Sequence, residues 1–113
     1  MMRKWKFLLM TLYFSLILAS CATTNPKLDD VYDQGMQAYQ SGRYKEAVKH
    51  FKVFVQEKPN NPLNEVVLYY LAESYRNSGD SDRAMNVYME LINKHRSGFW
   101  VEQARKDLKH YAE

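Results

Sequence analysis

The chain of 113 residues contains little cysteine, glycine or proline: one, four and three residues, respectively. A single cysteine excludes an intrachain disulfide framework and a metal site built from several thiolates. No acidic residue precedes Asp29, whereas the cations Arg3, Lys4 and Lys6 lie at the start. Without those three, 13 of the 16 Lys and Arg remain and balance the 13 Asp and Glu. This neutral remainder argues against nucleic-acid binding through bulk charge.

No apolar run in the sequence is long enough to cross a bilayer comfortably. The longest, FLLMTLYFSLILA at residues 7–19, has 13 residues, whereas a spanning helix needs about 20. A short apolar run behind a basic start is typical of a secretory signal peptide. We therefore predict that residues 1–20 are a leader.

The end of this leader carries a more specific pattern. Small Ala19 and Ser20 follow Leu18 and stand directly before Cys21, which resembles the lipobox of bacterial lipoproteins. The resemblance implies cleavage before Cys21, a diacylglycerol on its sulfur and acylation (palmitate) of its amino group, since stable anchoring needs more than one chain. The alternative is an ordinary signal peptide with a cysteine near its cleavage site by chance.

Residues 21–27 would then be the lipidated cysteine and a short tether of small and polar residues. Ala22 occupies the place where, in enterobacterial lipoproteins, Asp would retain the protein in the inner membrane. The lipobox resemblance thus implies a bacterial cell-envelope protein, anchored through Cys21 in the outer membrane and facing the periplasm.

The rest of the chain repeats itself with a spacing of 37 residues. Within each repeat, apolar residues recur at helical intervals on both sides of a short turn that contains glycine. The segment 66–75 is apolar nearly all round, so we expect a helix that is buried on more than one side. The matched pairs are Gly35 and Ala72, Gly42 and Gly79, Ala47 and Ala84, and Phe51 and Tyr88.

This pattern resembles the tetratricopeptide repeat (TPR), a helix–turn–helix unit of 34 residues. The resemblance places repeat 1 at residues 28–61, repeat 2 at residues 65–98 and a capping helix at residues 99–113. It implies an all-α fold, a short right-handed α-solenoid, with small residues where helices cross. The alternative is an unrelated helical bundle in which the small residues coincide. In the capping helix, we expect Phe99, Trp100 and Leu108 to cover repeat 2.

The repeats look like those of envelope lipoproteins such as the repeat lipoprotein of the β-barrel assembly machinery, the Tol-system coordinator and pilotins.

We found no sequence pattern that indicates catalysis or a cofactor. His50, His95 and His110 stand alone, without an H-E-x-x-H motif, a G-x-S-x-G elbow or a phosphate-binding loop. We therefore expect a protein that is not an enzyme and holds no metal or cofactor.

The TPR resemblance implies a concave groove lined by the first helix of each repeat. Tyr32 and Met36 stand where the family's two-carboxylate clamp has Lys and Asn, which argues against binding of that ligand. Tyrosine and methionine would instead suit an extended peptide or a partner helix, unless some tyrosines pack in the core. The candidate groove residues are Tyr32, Met36, Tyr39, Gln40, Tyr69, Glu73, Arg76 and Asn77.

The sequence therefore predicts a lipid-anchored, non-catalytic adaptor that binds a protein or peptide partner in the envelope. The alternative is a structural subunit of an envelope assembly, or a homo-oligomer, whose repeat faces are consumed by assembly. A chain with only two repeats favours either a permanent partner or self-association, because solenoid units bury their faces only against neighbours.

Overall fold

The computed structural model describes the backbone of residues 26–112 and the side chains of residues 30–111, so the leader and Cys21 lie outside the described residues. This part of the chain is all helical and contains no strand, as the sequence predicts. Its helices are α1 (Pro26–Gln40), α2 (Tyr44–Glu57), α3 (Asn64–Asn77), α4 (Ser81–His95) and α5 (Phe99–Ala112).

The helices pack as two hairpins followed by a single helix. Helix α1 pairs with α2, and α3 pairs with α4, while α2 packs against α3 and α4 against α5. Helix α3 also contacts both α1 and α5, so the first helix of each hairpin and the last helix lie side by side. This arrangement confirms the prediction of two helix–turn–helix repeats and a final helix.

Both hairpins turn through the same backbone motif. Gly42 and Gly79 have φ angles of 77° and 88°, which glycine adopts without steric penalty. The next amide in each turn, that of Arg43 or Asp80, donates to a carbonyl five residues earlier, at 2.8 and 2.9 Å. These bonds complete a Schellman motif at the end of α1 and again at the end of α3. The spacing of 37 residues is thus reproduced in backbone geometry.

Small residues lie where the two helices of each repeat cross. Ala47, Ala72 and Ala84 are completely buried, and Gly35 is also buried. A Cβ atom on Gly35 would lie 2.6 Å from Cε1 of Phe51, closer than two carbon atoms can approach. Glycine at this crossing therefore avoids a clash with the Phe51 ring, as the pattern of small residues leads us to expect.

Helix α3 is the central helix of the described structure. Its buried residues are distributed around much of the helix because α2, α4, α1 and α5 all contact it. This confirms the expectation that segment 66–75 is buried on more than one side. The buried residues of α3 are Asn64, Val67, Leu68, Leu71, Ala72, Glu73, Ser74 and Tyr75.

Two helices begin slightly earlier than the repeat boundaries predict. Helix α1 begins at Pro26, within the segment expected to be tether, because proline is tolerated in the first turn of a helix. Helix α3 begins at Asn64, one residue before the predicted start of repeat 2 at Glu65. The buried Asn64 side chain donates through Nδ2 to the carbonyl of Lys58, which connects the loop to the helix.

The expectation that Phe99 covers repeat 2 is wrong, because 65% of its surface is exposed. Val101 and Ala104 provide the cover and are both completely buried. They lie three residues apart and thus on one face of α5, while Trp100 and Leu108 pack partly buried beside them.

Among the residues that the structure describes, no helix has the length and apolar character required to cross a membrane.

Candidate binding cleft on helices α1, α3 and α5

Helices α1, α3 and α5 form a cleft of about 420 Å³, which we call the aromatic cleft. Each of the three helices contributes at least one ring to its lining. Because α1 and α3 are the first helices of the two repeats, the cleft lies on the face that the TPR resemblance assigns to the groove. Its lining consists of Tyr39, Tyr69, Tyr70, Glu73, Phe99, Trp100 and Gln103.

The rings of the aromatic cleft hold one another in place. Tyr39 packs edge-on against Tyr70, with ring centroids 5.0 Å apart and an angle of 71° between the rings. Tyr70 contacts Trp100 at 5.6 Å, and Trp100 packs against Phe99 at 5.0 Å. Each pair is within the range of favourable ring contacts. The cleft wall is therefore a continuous aromatic surface from α1 to α5.

Tyr69 connects this wall to the last helix. Its hydroxyl donates to Oδ2 of Asp107 at 2.8 Å, and its ring centroid lies 5.1 Å from that of Trp100. Burial raises the pKa of Tyr69, and the hydrogen bond to Asp107 and the charge of Glu73 raise it further. Tyr69 is therefore a neutral hydrogen-bond donor at physiological pH.

The carboxyl group of Glu73 forms the polar part of the cleft wall. The residue is only 4% exposed and accepts a hydrogen bond from the Tyr88 hydroxyl at Oε1. Oε2 lies 2.7 Å from Nη2 of Arg76. Burial raises the pKa of the Glu73 carboxyl group. The hydrogen bond from Tyr88 and the charge of Arg76 oppose this rise, whereas Asp107 adds to it. Glu73 is thus paired with the Arg76 guanidinium, and the Asp107 carboxyl group lies close enough to affect the pKa of Glu73, where repeat 2 joins α5.

The eight residues predicted to line the groove are not gathered in one place. Tyr39, Tyr69 and Glu73 line the aromatic cleft, and Arg76 reaches it through its ion pair with Glu73. Tyr32 instead packs against Phe54, with ring centroids 6.1 Å apart. Met36 is half-buried against the core. Gln40 and Asn77 are exposed near helix ends.

The prediction missed four lining residues: Tyr70, Phe99, Trp100 and Gln103. Three of them, Phe99, Trp100 and Gln103, lie on α5, which the TPR resemblance predicts only as a capping helix. Tyr70 directly follows the predicted groove residue Tyr69 on α3. No repeat position marks these four residues as groove residues.

A second cavity, of about 570 Å³, lies beside the turn between α3 and α4. Its charged lining residues have both signs, with Lys45 and Lys49 across from Asp80 and Asp82. Such mixed, solvated charge gives little selectivity. Within residues 26–112, moreover, no group of three or more His, Cys, Asp or Glu side chains is placed to hold a metal ion. The aromatic cleft is therefore the better candidate site.

Residues 66–97 match the family model of the tetratricopeptide repeat. The matched segment covers nearly all of α3 and α4, which form repeat 2. This match supports a TPR protein, and together with the helical hairpins it fits a helical repeat solenoid. Comparison of the chain with curated proteins and with solved structures gives no match. TPR units generally mediate protein–protein interaction and are typically non-catalytic, which is consistent with an adaptor or scaffold.

Proposed function

We propose that this protein is a lipid-anchored, non-catalytic TPR adaptor of the bacterial cell envelope, which binds a protein or peptide partner in the aromatic cleft. The observation that carries the proposal is the cleft itself, an aromatic surface across α1, α3 and α5 of a TPR-type scaffold. Aromatic side chains supply large contact areas with little loss of conformational entropy, so they suit protein recognition.

Binding in the cleft is tested by photo-crosslinking in intact cells. Replacing Phe99 with a photoreactive phenylalanine analogue places the probe at the edge of the cleft on a side chain that is 65% exposed. Met89 on α4 is 53% exposed and lies outside the cleft lining, so it is the matched control. We expect adducts with another protein from position 99 and few from position 89. Equal yields at both positions would contradict a cleft-specific partner.

The same experiment addresses the alternative, a structural subunit or homo-oligomer. Adducts that join only two copies of this chain would favour that alternative over an adaptor. Such adducts are recognised by their mass and by their formation between two differently tagged copies.

The proposed anchor rests on the lipobox resemblance at Cys21. We expect Cys21→Ser to abolish incorporation of a palmitate analogue, because the thioether cannot form without the sulfur. Thr23→Ser is the control, since it alters the tether and keeps the cysteine. Undiminished label on the Cys21 variant would refute the lipoprotein assignment.

The proposed location is the outer membrane, with the repeats in the periplasm. It rests on Ala22, which follows the cysteine where Asp would favour retention in the inner membrane. Membrane fractionation should recover the protein with the outer membrane and should find Ala22→Asp in the inner membrane. Recovery of the unaltered protein in the inner membrane would contradict this location.

A further inference from the structure

The lining of the aromatic cleft has an unusual combination of chemistry. Five of its residues are aromatic, one is an amide (Gln103) and one carries a carboxyl group (Glu73). No lysine, arginine or histidine lines it. Rings with electron-rich faces beside a carboxyl group are the surroundings that proteins use to hold cations.

The charged groups at and behind the cleft wall are two carboxyl groups and one guanidinium. Asp107 accepts the Tyr69 hydrogen bond and adds a second carboxyl group next to Glu73. One guanidinium, that of Arg76, pairs with Glu73 but is not part of the lining. The two carboxyl groups therefore outnumber the cation, and the local field in the cleft favours positive charge.

We propose that the aromatic cleft binds a cationic side chain, arginine or lysine, of the partner segment. This inference rests on the proposed function and specifies the chemistry of the partner. The flat guanidinium or the ammonium group would lie against the faces of Tyr70 and Trp100, near Glu73. Its aliphatic stem would pack along Phe99, which stands exposed at the edge of the cleft. The volume of about 420 Å³ leaves room for one such side chain.

Two other occupants fit the lining less well. An acidic segment would bring a third negative charge next to Glu73 and Asp107, which costs Coulomb energy. A purely apolar segment would remove water from the Gln103 amide in the lining without offering it a partner. A cation interacts favourably both with the ring faces and with the excess of carboxyl groups.

The first test compares two small probes on the full chain. N-acetyl-argininamide and N-acetyl-citrullinamide have nearly the same shape, but only the first is charged. With Trp5→Phe, Trp100 is the single tryptophan, so its indole NMR signal reports binding in the cleft. We expect the arginine probe to shift this signal with an affinity roughly 2- to 5-fold higher than the citrulline probe. Equal affinities, or no shift from either, would overturn the proposal.

The second test changes the charge of the cleft at Gln103, which has no hydrogen-bond partner among those found for the described side chains. Gln103→Lys should weaken binding of the arginine probe, and Gln103→Glu should strengthen it, while Gln103→Met should have little effect. Circular dichroism verifies that all three variants fold. Equal weakening by all three substitutions would show that shape rather than charge decides binding, and would overturn the proposal.

The two proposals fail in different ways. If position 99 crosslinks a partner in cells but the arginine probe has no advantage over citrulline, the adaptor stands and the cationic occupant is refuted. If the arginine probe binds as expected but no adduct with another protein forms in cells, the cation site stands and the adaptor function is refuted.

Discussion

The two repeats have the same scaffold but different chemistry at equivalent positions. In repeat 1, Phe51 fills the space between the helices, and Met36 lies half-buried on the groove side. In repeat 2, the equivalent positions hold Tyr88 and Glu73, which form a hydrogen bond. An apolar pair in one repeat thus corresponds to a buried polar pair in the other. The fold tolerates both because Tyr88 and Glu73 form a hydrogen bond, whereas Phe51 and Met36 have no polar side-chain group that needs a hydrogen-bond partner.

The neighbours of each repeat explain why the polar pair occurs in repeat 2. Repeat 2 lies between repeat 1 and α5, so the groove side of α3 meets Asp107 of the last helix. Tyr88 and Arg76 supply the hydrogen-bond donors that Glu73 needs at this junction. Repeat 1 has a neighbouring unit on only one side within residues 26–112. The comparison indicates that the polar network belongs to the junction and not to the helical-repeat scaffold.

The largest expected difference between the repeats follows from truncating their central rings. Tyr88→Ala and Phe51→Ala each remove a completely buried ring, and such losses typically cost about 3–5 kcal/mol. Tyr88→Ala should be the more destabilising of the two, because it also leaves Oε1 of Glu73 without its donor. Urea unfolding followed by circular dichroism measures both. An equal or greater loss for Phe51→Ala would contradict the importance of the junction.

Exchanging only the hydroxyl isolates the polar pair. Tyr88→Phe removes one hydrogen bond to a buried carboxyl group, and we expect it to lower the free energy of unfolding by about 1.5–3 kcal/mol. Phe51→Tyr buries a hydroxyl without an acceptor and should cost about 1–3 kcal/mol. Adding Met36→Glu should recover part of that loss by restoring the pair. A double-mutant cycle without coupling between positions 36 and 51 would show that the repeats are not interchangeable.

The helix crossings differ by one methyl group. Gly35→Ala places a Cβ 2.6 Å from the ring of Phe51, and we expect overpacking of about 1–3 kcal/mol to exceed the gain in helix propensity of about 1 kcal/mol. The reverse change in repeat 2, Ala72→Gly, should cost about 0.5–1 kcal/mol. Thermal unfolding compares the two variants. A higher melting temperature for Gly35→Ala would show that Phe51 can move aside.

The smallest effect concerns pH. Burial raises the pKa of Glu73 in the folded chain, so the folded state retains this proton to higher pH than the unfolded state does. Its stabilising contribution is complete below the unfolded pKa of about 4.3 and is lost as pH rises through the folded value. Glu73→Gln should therefore flatten the decrease in unfolding free energy as pH rises from the unfolded pKa through the raised folded pKa. If the unfolding free energies of the unaltered protein and of Glu73→Gln depend on pH in the same way, the raised pKa of Glu73 is refuted.

The helical hairpins were predictable because their determinants are local. The apolar spacing at residues 47–55, the small residues at the crossings and the turn glycines each act within a few positions of the chain. Lipidation of Cys21, the domain limits and the membrane location remain predictions from sequence, since they fall on segments or properties that the helical structure does not address.

The cleft was only partly predictable because its lining comes from separate segments. The TPR resemblance placed Tyr39, Tyr69 and Glu73 on the groove side, but it could not show that Tyr32 packs on Phe54 or that Phe99 faces solvent. Those outcomes depend on how one helix is rotated against the next, which side-chain packing between distant residues determines.

The sequence by itself determined an all-α chain of two repeats and a final helix, because periodicity and turn chemistry are encoded along short stretches. Only the tertiary structure decided which side chains meet across α1, α3 and α5. It brought Glu73 to Tyr88 and Tyr69 to Asp107, contacts separated by 15 and 38 residues in the chain. Burial of a carboxyl group among aromatic rings is a property of that assembly, since no single helix can exclude water from its own surface.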